Sequence, residues 1–237
     1  MQDFPFRISG DKTAYSKGHG AARRWDKGEG EAEMTENIHK NEVMLTGTVM
    51  APPEYSHSNH EERFFKFPLR ILRLSGQADE LIVMAGEALL QQYPVCRDGR
   101  LHLTGQLRSY NNKSGQGSRL VITVFARTFD SGESEEDQNT ILLSGVLCKT
   151  PVRRSTPLGR EICDMMLAVN RRYGRADYIP CIAWGALAEE IGRRDVGDDL
   201  AFEGRVQSRV YHKVTERGVE NRVAYEVSVM CLMEGAN

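Results

Sequence analysis

The sequence predicts an all-β protein in which a five-stranded barrel with one short helix occurs twice in tandem. Three observations predict it: a repeat of about a hundred residues, the order of apolar stretches inside each copy, and the composition of the turns. Asn41-Glu-Val-Met-Leu-Thr-Gly47, followed by Pro52, returns as Asn139-Thr-Ile-Leu-Leu-Ser-Gly145, followed by Pro151. Leu103-Thr-Gly105-Gln-Leu-Arg-Ser returns as Phe202-Glu-Gly204-Arg-Val-Gln-Ser, and Gly86 and Gly185 keep the same spacing. Offsets of 98 and 99 residues are too long for a solenoid unit and match a duplicated domain.

Within each copy a first apolar strand (43–50; 141–148) leads through a polar loop to a second (64–74; 162–170). A third (81–85; 179–184) precedes a short helix (87–92; 186–192). Two further strands close the copy (101–110 and 120–126; 200–214 and 222–231), meeting at the polar turns Lys113-Ser-Gly-Gln-Gly117 and Thr215-Glu-Arg-Gly218. Five strands with a helix between the third and fourth is the order of the OB-fold, a Greek-key barrel. The domain boundaries follow: a disordered leader at 1–33, a first OB-fold at 34–129, a linker at 130–138 and a second OB-fold at 139–237. The linker is read from Asp130-Ser-Gly-Glu-Ser-Glu-Glu-Asp-Gln138, which has nothing apolar to bury.

Composition excludes several classes. An apolar fraction of 40% and a charged fraction of 27% are those of an ordinary globular chain. Neither an apolar signal segment nor an apolar run near eighteen residues is present, so secretion and membrane spanning are not expected and a cytoplasmic place is. The five cysteines, none in a C-x-x-C pair, suggest buried free thiols rather than disulfides or a zinc ribbon. Gly18-His-Gly-Ala-Ala lacks the preceding strand of a dinucleotide site, and Glu189-Glu190 and Asp198-Asp199 read as solvated pairs. His57-Ser-Asn-His60 has no acid or thiol beside it to complete a metal site. No enzyme activity, cofactor, metal or small-molecule substrate is therefore expected.

The net charge of −2 hides a segregation. Residues 34–129 carry 11 Lys and Arg against 9 Asp and Glu, residues 139–237 carry 14 against 13, and 130–138 holds five acids and no base. Any nucleic-acid binding must rest on local placement of charge and on stacking. The fourth strand of the second copy offers such a placement. Arg205, Gln207, Arg209, Tyr211 and Lys213 alternate onto one pleated face, where cations follow phosphates and a flat ring stacks a base. A solvated face with an incidental tyrosine is the competing reading. Tyr178 and Trp184, six residues apart on the third strand, share a face with Pro180 and Ile182, leaving Ile179, Cys181 and Ala183 for the core. Both faces are apolar, so periodicity alone leaves core and ligand uses of Trp184 open. Tyr173, among Arg171, Arg172 and Arg175, sits in surroundings that are hard to bury.

Residues 139–234 resemble the DNA-binding domain of bacterial single-stranded DNA-binding proteins. Asn139-Thr-Ile-Leu-Leu-Ser-Gly-Val-Leu, Tyr178-Ile-Pro-Cys-Ile-Ala-Trp-Gly-Ala-Leu-Ala-Glu189 and Val196-Gly-Asp-Asp-Leu-Ala-Phe-Glu-Gly-Arg-Val206 carry the resemblance. It implies a tandem OB-fold chain that binds single-stranded DNA in replication, recombination or repair, associated with the nucleoid. Tyr173, Tyr178, Trp184 and Tyr211 then stack bases, and Arg171, Arg172, Arg205, Arg209 and Lys213 meet phosphates. It also implies a homodimer, since the family groups four OB-folds. The first copy departs: Asp79 and Ala85 are set opposite Tyr178 and Trp184, and Phe64, Phe65 and Phe67 suggest core or interface use, so this copy is expected to serve assembly. The family's acidic C-terminal tail is not matched by Met233-Glu-Gly-Ala-Asn237. Ser144-Gly-Val-Leu-Cys-Lys-Thr-Pro-Val-Arg-Arg154 also resembles primosomal replication protein N, which, with an assembly module that binds no DNA, is the alternative.

Overall fold

The computed structural model describes residues 39–113, 118–131, 136–215 and 218–233, which lie in one compact unit, Asn37–Asn237. The leader at 1–33 lies outside the described residues. The first half runs β1 (Asn41–Val49), β2 (Glu54–Asn59), β3 (Glu62–Leu72), β4 (Ala78–Gly86), α1 (Glu87–Gln92), β5 (Arg100–Asn111) and β6 (Leu120–Ser131). The second repeats the order as β7 (Gln138–Leu147), β8 (Val152–Ser155), β9 (Glu161–Arg171), β10 (Arg175–Trp184), α2 (Ala186–Ile191), β11 (Asp199–Thr215) and β12 (Gly218–Leu232). A 3₁₀ turn, Arg172–Gly174, joins β9 to β10.

Each half closes into a five-stranded barrel. β1 pairs with β5 on one side and β3 on the other, β4 joins β3 to β6, and β6 returns to β5. β7 does the same through β11, β9, β10 and β12. The pairings β4–β6 and β10–β12 are parallel and all the others antiparallel, the Greek-key connection of the OB-fold. Alternate residues fill the two cores, among them Val43, Leu45, Leu103 and Leu107 in one half and Ile141, Leu143, Phe202 and Val206 in the other. The repeated glycines stand where strands cross within a barrel. A Cβ on Gly105 would lie 2.3 Å from the Phe125 carbonyl oxygen, and one on Gly204 2.5 Å from that of Ser228. The repeat is therefore steric, because only glycine admits that approach.

The structure differs from the sequence reading in three places. The polar loops after β1 and β7 contain the short strands β2 and β8, which lengthen the hairpins to β3 and β9. Glu54–Asn59 is polar and almost wholly exposed, held by its backbone ladder, so it shows no apolar alternation to detect. The stretch 130–138 is short of free chain: Asp130 and Ser131 end β6, Gln138 opens β7, and 132–135 lie outside the described residues. Asp137 accepts the Leu72 N–H at 2.6 Å and pairs with Arg100. His39 does the equivalent for the second half, its Nδ1 accepting the Asn170 N–H at 2.9 Å.

The third difference is a slip of one residue between the copies. Asp79 pairs with Ile71 as Asp177 pairs with Val169, and Ala85 with Phe65 as Ala183 with Cys163. The counterparts of Tyr178 and Trp184 are thus Glu80 and Gly86, not Asp79 and Ala85, because the extra residue of the second copy falls after the third strand. Ala85, like Ala183, is core.

The barrels share an edge. β1 and β7 pair antiparallel over six residues, with Val43 opposite its own repeat partner Ile141, so a pseudo-twofold axis passes through that pair. Asn41 and Asn139 flank it symmetrically. The Asn41 side chain donates to the Leu107 carbonyl at 2.9 Å and accepts the Leu107 N–H at 2.8 Å. Asn139 treats Val206 alike, at 2.8 and 3.0 Å. The asparagine that opens each repeat thus ties the first strand of its barrel to the fourth.

Candidate nucleic-acid interface

On β10 the alternation resolves cleanly. Ile179, Cys181 and Ala183 are buried, while Tyr178 is 50% and Trp184 38% exposed. Trp184 is therefore not a core residue. Tyr178 stands beside Ala168 of β9, and Trp184 beside Ile162. Ile182 is buried beside Ser228 of β12, which faces Arg205 of β11, so one sheet face runs from the β10 aromatics to the β11 arginine. Further along the hairpin, Gln207 faces Glu226, Arg209 faces Ala224 and Tyr211 faces Arg222. Arg209 is exposed and Tyr211 half-buried. The side chain of Lys213 lies outside the described residues.

Tyr173 is 87% exposed at the tip of the β9–β10 turn. Its backbone is left-handed, φ 64° and ψ 37°, and Gly174 follows at φ 63°. A bulky residue takes this conformation at a cost of order 1–3 kcal/mol, and such outliers gather at ligand-facing positions.

The cations are less uniform than the alternation suggests. Arg172 is exposed and projects from the turn. Arg171 is turned inward: its Nε lies 3.1 Å from the buried carboxylate of Asp177, without hydrogen-bond geometry. Arg108 of the first half reaches the same carboxylate at 3.3 Å. Burial lowers the Arg108 pKa, Asp177 opposes that and Arg171 adds to it. Gln207 is buried, its Nε2 donating to Glu226 at 2.8 Å, and Arg209 lies 4.0 Å from that same acid. Sequence reasoning missed Glu226 and Arg222, which come onto the face only through the β11–β12 register. A helical or alternating reading of one strand cannot show its neighbour.

The corresponding face of the first barrel has a different set. His57 stacks on Phe64 with ring centroids 5.1 Å apart, and Phe64 lies 5.9 Å from Phe125. Arg108 sits over Phe125 at 5.8 Å and shares Gln106 with Arg127. Phe67 is core, Phe64 is buried between His57 and Phe125, and Phe65 packs edge-on against Tyr55. Among the described residues no helix is long and apolar enough to cross a membrane, and no acid, histidine and cysteine group is placed to hold a metal.

Residues 138–232 match the single-strand binding protein family. Over 101 residues the chain is 35% identical to the single-stranded DNA-binding protein of Clostridium tetani, covering 39% of this chain and 70% of that protein. This chain belongs to the single-strand binding protein family. The single-stranded DNA-binding protein 1 of Clostridium acetobutylicum is a further relative, 36% identical over 84 residues, which are 32% of this chain and 76% of that one. The crystal structure of the wild-type single-stranded DNA binding protein from Thermus aquaticus superposes with a TM-score of 0.66 at 22% identity, over 84% of this chain and 95% of that one. At that identity the likeness concerns the fold, and it extends the tandem OB-fold architecture over both halves. The family match itself falls on the half whose β10 and β11 carry Tyr178, Trp184 and Arg209.

Proposed function

We propose that this chain binds single-stranded DNA without strong sequence preference, on the outward face of the second barrel. The observation that carries the reading is the exposure of Tyr173, Tyr178 and Trp184 beside Arg172, Arg205 and Arg209, within the family-matched half. Exposed aromatic rings grouped next to cations form the stacking platform that single strands need. Tyr211 extends the platform along β11, and Lys213, two residues on in sequence, is a further candidate for a phosphate contact. Arg171, drawn inward onto Asp177, contributes less to phosphate binding than its neighbours. The role is protection of single-stranded DNA in replication, recombination or repair, by a homodimer that brings four OB-folds together.

Titration with oligo-dT tests this directly. The chain has two tryptophans, Trp25 in the leader and Trp184 on the face. A Trp25→Phe variant is expected to keep most of the fluorescence quenching on binding. A chain that binds no oligo-dT would instead be an assembly module.

A further inference from the structure

The strand that carries Tyr178 is held from outside its own barrel. β12 pairs with β10 only at Cys181 and Ile182, so at Tyr178 that edge of β10 has no ladder partner from the second half among the described residues. The Tyr178 N–H points out of that edge and donates to Ser109 Oγ of the first half at 2.7 Å. Asp177, fully buried, returns the contact by accepting the Ser109 N–H at 2.8 Å. Two reciprocal bonds therefore join one serine to the Asp177–Tyr178 pair. Arg108 and Arg171 balance the carboxylate.

The pseudo-twofold axis produces a mate that works differently. Asp79 accepts the Ser208 N–H at 2.8 Å, and the Ser208 hydroxyl donates to Asp79 at 3.0 Å. Ser208 spends its hydroxyl on the aspartate, whereas Ser109 spends its oxygen on the amide of the residue after it. The asymmetry coincides with what stands at that next position: Tyr178 in the second half and Glu80 in the first. A rigid backbone beneath an exposed ring lowers the ordering cost of stacking a base on it.

We infer that Ser109 of the first barrel is a positioning residue for base stacking by Tyr178 of the second, acting through the Oγ···H–N bond between the halves. The inference rests on the proposed stacking role of Tyr178. Ser109→Ala removes only the hydroxyl and leaves the Ser109 N–H on Asp177, so the join between the barrels persists. Losing one such bond corresponds to a fall in oligo-dT affinity of about 2- to 12-fold.

The test is a double-mutant cycle in the full chain, read as oligo-dT affinity by anisotropy. Ser109→Ala is expected to weaken binding in the parent and in a Trp184→Ala background, yet to have no further effect in a Tyr178→Ala background. Ser109→Thr, which keeps the hydroxyl, is expected to restore affinity. Hydrogen exchange is expected to show the Tyr178 amide less protected in Ser109→Ala alone. The same fold loss in the Tyr178→Ala background would overturn the inference, since a general structural role adds regardless of Tyr178. Unchanged affinity of Ser109→Ala, where Tyr178→Ala does weaken binding, would overturn it as well. Should Tyr178→Ala bind like the parent, the stacking reading itself fails and takes the inference with it.

Discussion

Trp184 is the residue on which the functional reading can be weighed most simply, because its environment fixes both its energetics and its signal. It stands 38% exposed at the end of β10, beside a core that is already filled by Ala183, Cys181 and Ile179. Truncating it opens no deep cavity, so a loss on substitution reports binding rather than folding. Stacking is worth about 1–3 kcal/mol per base, so Trp184→Ala is expected to weaken oligo-dT binding by about 5- to 150-fold with little change in melting temperature. The cysteines give a second residue-scale check. Burial pushes the Cys181 thiol far up, and it raises Cys163 and Cys148 too, while Cys96 and Cys231 are exposed. Alkylation of the native chain near neutral pH is therefore expected to modify Cys96 and Cys231 quickly and Cys181 only after denaturation. The exposure of Tyr173 could be read from sequence because a tyrosine among arginines is hard to bury, whereas that of Tyr178 and Trp184 could not, both faces of their strand being apolar. The inward turn of Arg171 could not, since its partner Asp177 is six residues away across a hairpin and looks solvated in sequence.

Elements were legible wherever an apolar face must be buried. All ten apolar strands and both helices follow from alternation and glycine placement, because a residue that misses the core costs stability at once. β2 and β8 were not legible: they bury almost nothing, and their existence depends on a backbone ladder to β3 and β9. The asparagine that opens β1 and β7 shows the opposite case, a polar residue visible as a repeat whose purpose lies in a contact between distant strands. Asn139 satisfies both the N–H and the C=O of Val206, and Asn41 those of Leu107. Alanine there leaves a buried donor and acceptor unpaired, at about 1–3 kcal/mol each. Asn41→Ala is expected to lower the urea midpoint clearly, and a midpoint unchanged within error would show that water replaces the side chain. The β11–β12 hairpin makes an electrostatic prediction. With Arg209 and Arg172 exposed, Arg205 half-buried and Glu226 offsetting part of their charge, only two to four phosphate contacts are expected in the second barrel. The log–log salt slope for a single strand should then lie between about −1.4 and −2.8, at about −0.7 per contact.

At the scale of the whole molecule, the duplication was evident in sequence but its consequence was not. A charged stretch between two repeats suggests beads on a string, yet the halves share the β1–β7 ladder and exchange buried polar contacts on both sides of the pseudo-twofold axis. Tyr225 adds another, its hydroxyl donating to the Glu80 carbonyl at 2.8 Å. Neither barrel can unfold without leaving the other's amides and carboxylate unpaired in a site built to bury them. One calorimetric transition is therefore expected for the described unit, and two resolved transitions would show that the barrels melt independently. The join should also be acid-sensitive in a definite direction. Burial works to raise the Asp79 pKa, but the Arg73 hydrogen bonds and the Ser208 N–H and hydroxyl outweigh it, and the net shift is downward. A folded pKa below the unfolded value means that ionised Asp79 stabilises the fold at any pH above about 4. That contribution is lost as pH falls from there through the folded pKa. The melting temperature of the parent is thus expected to exceed that of Asp79→Asn at pH 7 and to converge with it as pH drops below about 4. A gap that stays constant from pH 7 to pH 3 would mean that the charge of Asp79 contributes nothing, and that its share of the join comes from hydrogen bonding to Ser208.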